Sequence, residues 1–185
     1  MLFRSSGSIE GQVLQIFADA YTPVVDSSAI PTGEIASVEG TPMDFRTEKQ
    51  IGQDIRADFE QLHFTGGYDH NYVLGRSGEK KIMANAYCRE SGIALEAATD
   101  CCGVQFYAGN FIGEQTGKGG ASYHDRSAFC LESQFYPNAV NEPDFPSPVV
   151  KAAPSISANV IAHSPSMNCS ALKKTSSSIC CVACG

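Results

Sequence analysis

The sequence predicts an all-β protein, a large antiparallel β-sandwich, and three observations carry that prediction. Apolar, β-branched and aromatic residues recur in short runs, most of them alternating with polar residues, which is the period of a strand half-buried on a sheet. These runs are separated by turn-forming clusters, with 17 Gly and 9 Pro in 185 residues. One stretch alone has helical spacing. Short strands between turn signals, with almost no helix, select a sandwich or barrel over a helical or α/β architecture.

The elements follow in chain order. Val13–Ala18 is apolar and β-branched and reads as a strand, with Tyr21–Pro23 turning the chain. Glu48–Leu62 is the one helical candidate: Ile51, Ile55, Phe59 and Leu62 share helical spacing, although Gly52 weakens it. Ile82–Glu90 and Ile93–Thr99 flank Ser91-Gly92, the pattern of a hairpin with a two-residue loop. Val104–Phe111 and Ala128–Phe135 are aromatic-rich strands between glycines.

Charge divides the chain in two. Residues 1–150 carry all twenty acids against ten bases, whereas 151–185 carry three Lys, eight Ser, no acid and no aromatic residue. A stretch of that composition builds little core. The expected organisation is a β-sandwich body over 1–150 and a divergent, disordered tail over 151–185.

Composition also excludes partners. A net charge of −7 disfavours nucleic acid and anionic membrane, both of which need clustered Lys and Arg. No apolar run approaches the ~20 residues that cross a bilayer. The start, MLFRSSGSIEG, lacks the apolar core of a secretory signal. The expected compartment is therefore the cytoplasm, where the eight Cys stay thiols.

Chemistry-bearing residues fall on alternating strand faces. In Ala128–Phe135, Phe129, Leu131 and Phe135 share one face, and Cys130, Glu132 and Gln134 the other. Glu132 thus sits on a polar stripe behind a core stripe, where it reads either as a positioned general base or as a solvated surface carboxylate. In Gly66–Leu74, Asp69 and Asn71 share a face, opposite Tyr68, His70 and Tyr72. A carboxylate accepts two hydroxyl protons and an amide both donates and accepts, so this pair suits a sugar; Asp69 capping a turn is the alternative. Asp69 and His70 point to opposite faces and form no dyad. Gln105 and Tyr107 add an amide and a phenol to one face of the next strand, which reads equally as an aromatic core strand.

Other motifs carry less. Cys181-x-x-Cys184 has the spacing of half a zinc or redox site, but Cys169 and His163 stand at no standard spacing to complete it, so no metal is expected. Asn168-Cys169-Ser170 matches a glycosylation sequon that only a secreted chain would use. Thr116–Gly120, TGKGG, lacks phosphate-loop spacing and reads as a surface turn.

Five stretches taken together resemble the aldose 1-epimerase (galactose mutarotase) family. They are GTPMDFR at Gly40–Arg46, GGYDHNYVL at Gly66–Leu74, TDCCGVQFYAGNF at Thr99–Phe111, RSAFCLESQFYP at Arg126–Pro137 and NEPDFPSPVV at Asn141–Val150. Their order and spacing give the resemblance its specificity, and it covers roughly residues 8–150. It implies a galactose mutarotase-type sandwich acting on a free aldose sugar, with no cofactor. A base takes the C1 hydroxyl proton while an acid protonates the ring oxygen; the ring opens, C1–C2 rotates, and closure gives the other anomer. By resemblance Glu132 is the general base, Asp69 binds substrate and Gln105 lines the site; Asn71, from its place on the same strand face as Asp69, is expected to bind hydroxyls with it.

The resemblance also marks two departures. The chain starts at sequence resembling that just after the family's general-acid His segment, so it matches the C-terminal part of the domain, lacking the N-terminal region. None of His63, His70, His124 or His163 sits in such a motif, and none is assigned the acid. Beyond Val150 the match dissolves. A chain without that acid is expected to bind galactose weakly and turn it over slowly; the alternative function is a non-catalytic carbohydrate-binding sandwich.

Overall fold

The computed structural model describes residues 2–3, 7–149 and 160–163. The strands run in order: β1 (Leu2–Phe3), β2 (Val13–Ile16), β3 (Ala20–Thr22), β4 (Ala36–Ser37) and β5 (Lys49–Gln50). After the short helix α1 (Glu60–Thr65) come β6 (Asp69–Val73), β7 (Lys81–Tyr87), β8 (Ala94–Thr99) and β9 (Gly103–Tyr107). The chain ends with β10 (Gln115–Thr116), β11 (Ser122–Tyr123), β12 (Phe129–Gln134) and β13 (Val160–His163). One sheet has the order β1-β12-β9-β6-β3-β4 and the other β13-β8-β7-β2-β5, with β10 and β11 forming a separate small ribbon. All the pairings are antiparallel. The sandwich expected from the sequence is what forms.

The core lies between the two large sheets. Phe106 of β9 is its hub: it stacks on Tyr68 with ring centroids 5.3 Å apart and meets Phe45 and Phe129 edge-on at 5.5 and 5.9 Å. From β2 and β7 opposite, Leu14, Ile16, Met83 and Ala84 close the layer, all fully buried. Edge-to-face and offset ring contacts add to the area term, so this cluster fixes how the sheets stack as well as that they do. Gly40–Arg46 feeds the same core. Met43 and Phe45 are buried, and the carbonyls of Pro42 and Met43 accept the hydroxyls of Tyr68 and Tyr72 at 3.0 Å each. Two buried phenols are thereby satisfied by one loop, which ties β6 to it.

Three sequence expectations are corrected. Glu48–Leu62 is not a helix: Lys49–Gln50 pairs with Val13–Leu14, and α1 starts only at Glu60. Backbone donors here go elsewhere, Ile51 N–H to the Gln12 carbonyl and Gly52 N–H to the Glu10 carbonyl, both 2.9 Å, which leaves no intrahelical ladder. Ile51, Ile55 and Leu62 are nonetheless buried, so the apolar spacing marked the core and misled on conformation. Tyr21 continues a strand rather than turning the chain, paired with Tyr72 on one side and Ala36 on the other. The hairpin β7–β8 forms as expected, but Cys88 N–H bonds to the Ile93 carbonyl, so its loop is the four residues 89–92, with Gly92 at φ 70°.

Beyond the boundary at Lys151, residues 160–163 are described. Val160–His163 pairs with β8 in the register Val160↔Thr99 to His163↔Glu96. A ladder of main-chain hydrogen bonds needs neither acids nor aromatics, so composition alone did not reveal it. The rest of the expected tail, with Cys169, Cys180, Cys181 and Cys184, lies outside the described residues.

Phe106→Ala is expected to cost about 3–5 kcal/mol of unfolding free energy, the range for emptying a buried aromatic site. Urea denaturation measures it, and a loss below about 1 kcal/mol would contradict the hub role.

Candidate functional site

The site is built by three neighbouring strands, β6, β9 and β12, within the six-stranded sheet. Their registers align in ranks across the sheet. Asp69 pairs with Tyr107 and Tyr107 with Cys130; Asn71 pairs with Gln105 and Gln105 with Glu132; Val73 pairs with Gly103 and Gly103 with Gln134. Directly opposed residues have Cβ atoms about 4.5–5.5 Å apart. Asp69, Asn71, Gln105, Glu132 and Gln134 therefore share one face, and His70, Tyr72, Val104, Phe106, Phe129 and Leu131 form the buried face behind them. A one-residue slip in either pairing would send every one of these groups to the other side.

An amide chain links the polar face. Gln134 Nε2 donates to Gln105 Oε1 at 3.0 Å and to Asn71 Oδ1 at 3.2 Å. Gln105 Nε2 in turn donates to Asp69 Oδ1 at 2.7 Å, a short bond of charge-assisted length. Burial holds the Asp69 carboxyl above the ordinary carboxylate range; the Gln105 hydrogen bond opposes that rise, and the nearby Glu132 charge adds to it. Glu132 itself stands exposed on the open face.

Of the four residues singled out from sequence, Asp69, Gln105 and Glu132 come together at the accessible surface of this face. Asn71 shares their register but lies beneath it, 2% exposed, with Nδ2 lacking a partner. It fits there because Gly103 faces it: a Cβ on Gly103 would stand 2.4 Å from Asn71 Oδ1 and 3.0 Å from the Tyr136 ring. Burial keeps Asn71 from meeting a ligand directly; it acts as an anchor for Gln134. Gln134, which sequence analysis only assigned to the polar face, joins the site as its donor. The signal was the alternation in FCLESQ, but period alone does not reveal which amide a side chain meets.

The histidines occupy other roles. His70 is fully buried, its pKa pulled down to about 4 by burial, so it is neutral at physiological pH. Its Nδ1 accepts the Asp69 backbone N–H at 3.3 Å, and no side-chain dyad exists. His124 is exposed, its Nδ1 2.8 Å from Glu114. His63 faces Asp58 at 3.5 Å on the surface. At the open end of the face, the Phe111 N–H donates to the Tyr107 hydroxyl at 3.0 Å, and Phe111 is 71% exposed. Thr116–Gly120 is an exposed turn of the small ribbon, as expected.

The arrangement offers an accessible carboxylate, a second carboxylate held by an amide donor, and a mixed donor–acceptor surface. That set suits polyhydroxylated ligands, whose hydroxyls donate and accept at once. Among the described residues no group of three His, Cys, Asp or Glu is placed to hold a metal, and no helix is long and apolar enough to cross a membrane.

The raised Asp69 carboxyl has a defined effect on stability. The fold favours its protonated form, so this stability is full below the ordinary carboxylate range and is lost as pH rises through the raised value. Asp69→Asn keeps an acceptor for Gln105 and removes the charge. It is expected to raise the urea midpoint at neutral pH, with the gain vanishing in acid where Asp69 is already protonated. An equal or lower midpoint at neutral pH would contradict this.

Comparison with known proteins places this geometry. The family model described as aldose 1-epimerase matches residues 2–163. Galactose mutarotase from Sus scrofa is 44% identical over 149 residues, 80% of this chain and 42% of its own. Galactose mutarotase from Homo sapiens is 44% identical over 144 residues, 77% of this chain and 40% of its own. Aldose 1-epimerase from Escherichia coli is 38% identical over 141 residues, 76% of this chain and 40% of its own. The chain thus spans about two fifths of the length of these relatives. Among solved structures, the GalM/aldose epimerase homologue from C. elegans superposes with a TM-score of 0.71 at 24% identity, over 89% of this chain and 48% of its own, a likeness of fold. Galactose 1-epimerase from Lactobacillus acidophilus gives 0.60 at 27% identity, over 74% and 38%.

Proposed function

The chain belongs to the aldose 1-epimerase family, and from that premise we propose that it interconverts the α and β anomers of free aldohexoses, glucose and galactose, by acid–base ring opening and closure. The observation that carries the proposal is the rank in which Glu132 stands directly across from Gln105, whose amide holds Asp69. A base is thereby set on the same open face as two hydroxyl binders. The relatives' names, galactose mutarotase and aldose 1-epimerase, support the same reaction class, that of an isomerase.

In this mechanism Glu132 accepts the C1 hydroxyl proton. The C1–ring oxygen bond breaks, its electron pair passing to the ring oxygen, which takes a proton from an acid on the far side of the anomeric centre. C1 becomes an aldehyde. Rotation about C1–C2 presents the other carbonyl face, and the same steps in reverse close the ring and return both protons. Every step moves protons and one C–O electron pair, with no net redox change. Asp69 and Gln105 hold sugar hydroxyls through the exchange, and Asn71 supports the set from beneath. The acid is assigned to none of the described residues.

The partner is a small-molecule aldose, and the proposed compartment is the cytoplasm.

In a protein spanning the relatives' full length, Glu132→Gln is expected to lower the rate of mutarotation of α-D-galactose, followed by polarimetry, by about 10²–10⁴-fold with the fold intact, the range for one positioned acid–base group. Retention of more than about a tenth of the rate would overturn the assignment. Galactose binding without any Glu132-dependent turnover would instead support a carbohydrate-binding sandwich.

A further inference from the structure

We propose that Gln134 is a positioning residue: it sets the direction of the amide chain, turning the Gln105 carbonyl toward itself and so presenting the Gln105 NH2 group to Asp69. A glutamine amide is nearly symmetric in shape but opposite in chemistry at its two ends, and packing alone does not choose between its two orientations. Gln105 lies between Gln134 and Asp69, and only one orientation satisfies both. Gln134 occupies its side with a donor, since its Nε2 lies 3.0 Å from Gln105 Oε1. Turning Gln105 over would set NH2 against NH2 on that side and carbonyl against carboxylate on the other.

Gln134 meets a second acceptor from below. Its Nε2 also donates to Asn71 Oδ1 at 3.2 Å, so two acceptors converge on one NH2 group. Asn71 is held where it is by burial and by the space that Gly103 leaves. One mutually consistent set of amide orientations thus links the buried asparagine, Gln134, Gln105 and the Asp69 carboxylate, the last bond at 2.7 Å. The links follow the strand register, with Asn71 and Gln105 in one rank and Gln134 in the next.

The consequence lies in the charge of Asp69. Glu132 and Cys130 face it from β12, Tyr107 and Gln105 from β9, and His70, neutral behind the sheet, accepts its backbone N–H. Of these, Gln105 supplies the side-chain donor that favours the ionised form, against burial and the Glu132 charge. Gln134 therefore controls, through Gln105, whether Asp69 presents an acceptor to a ligand. The orientation rests on geometry alone; its bearing on catalysis rests on the proposed role of Asp69 in holding sugar.

The test follows the Asp69 side-chain carboxyl by carbon-detected NMR titration of the 185-residue chain, with the resonance assigned by its loss in Asp69→Asn. Gln134→Leu is expected to move the Asp69 midpoint upward, because Gln105 is freed to turn. Gln134→Glu is expected to move it further, since the new carboxylate draws the Gln105 NH2 group away. In the unaltered chain the Gln105 side-chain amide protons are expected to shift in step with Asp69, a readout that stands if either variant fails to fold. An unmoved midpoint in a folded Gln134→Leu chain, or Gln105 amide protons that ignore the Asp69 titration, would overturn the proposal. These readouts need no turnover, so loss of the mutarotase reading would leave them standing, and their failure would leave that reading intact.

Discussion

The register of β6, β9 and β12 is the constraint on which the rest depends. Two pairings, Asn71 with Gln105 and Gln105 with Glu132, place residues 61 positions apart in sequence in one line across a sheet. The same two pairings send Tyr72, Phe106 and Leu131 to the opposite side, into the core. Site and core are therefore two faces of one decision. The hydrophobic term fixes it: reversing the faces would expose Phe106, Phe129 and Tyr72 and bury a carboxylate, each change costing on the order of a few kcal/mol. The apolar side specifies the register, and the polar side inherits it.

The polar side shows the marks of a surface shaped by something other than stability. Burial and the nearby Glu132 charge raise the Asp69 carboxyl, so its charged form is the less favoured one. Asn71 leaves an N–H without a partner while almost fully buried. Buried polar groups are normally satisfied, and departures concentrate where a protein binds or reacts. Unpartnered buried side-chain atoms also occur at Gln12, Thr22, His70, Asn85 and Asn110, so what distinguishes this face is the raised Asp69 carboxyl beside Glu132.

Much of this was legible in the sequence, for reasons that can be stated residue by residue. The alternation in FCLESQ, YDHNY and GVQFY separates the faces because a strand has period two, and it put Glu132, Asp69 and Gln105 on polar stripes. What period two does not encode is depth. Asn71 and Asp69 share a face, yet Gly103 and Gln134 cover one and not the other, and both lie on different strands. Helical spacing at Ile51, Ile55 and Leu62 identified buried positions and gave the wrong conformation, since the donors of Ile51 and Gly52 are taken by Gln12 and Glu10, about forty residues earlier. β13 escaped notice because strand pairing draws on main-chain groups that every residue carries.

The central claim is that this polar face, and no other surface of the sandwich, meets the sugar. The direct measurement is a galactose titration of isotope-labelled protein followed by NMR of backbone and side-chain resonances. The account predicts that the shifts centre on Glu132, Gln105, Asp69 and Tyr107, with the outer faces of β7 and β8 unmoved. Saturable shifts centred on β7 and β8, with Glu132 and Asp69 unchanged, would contradict it.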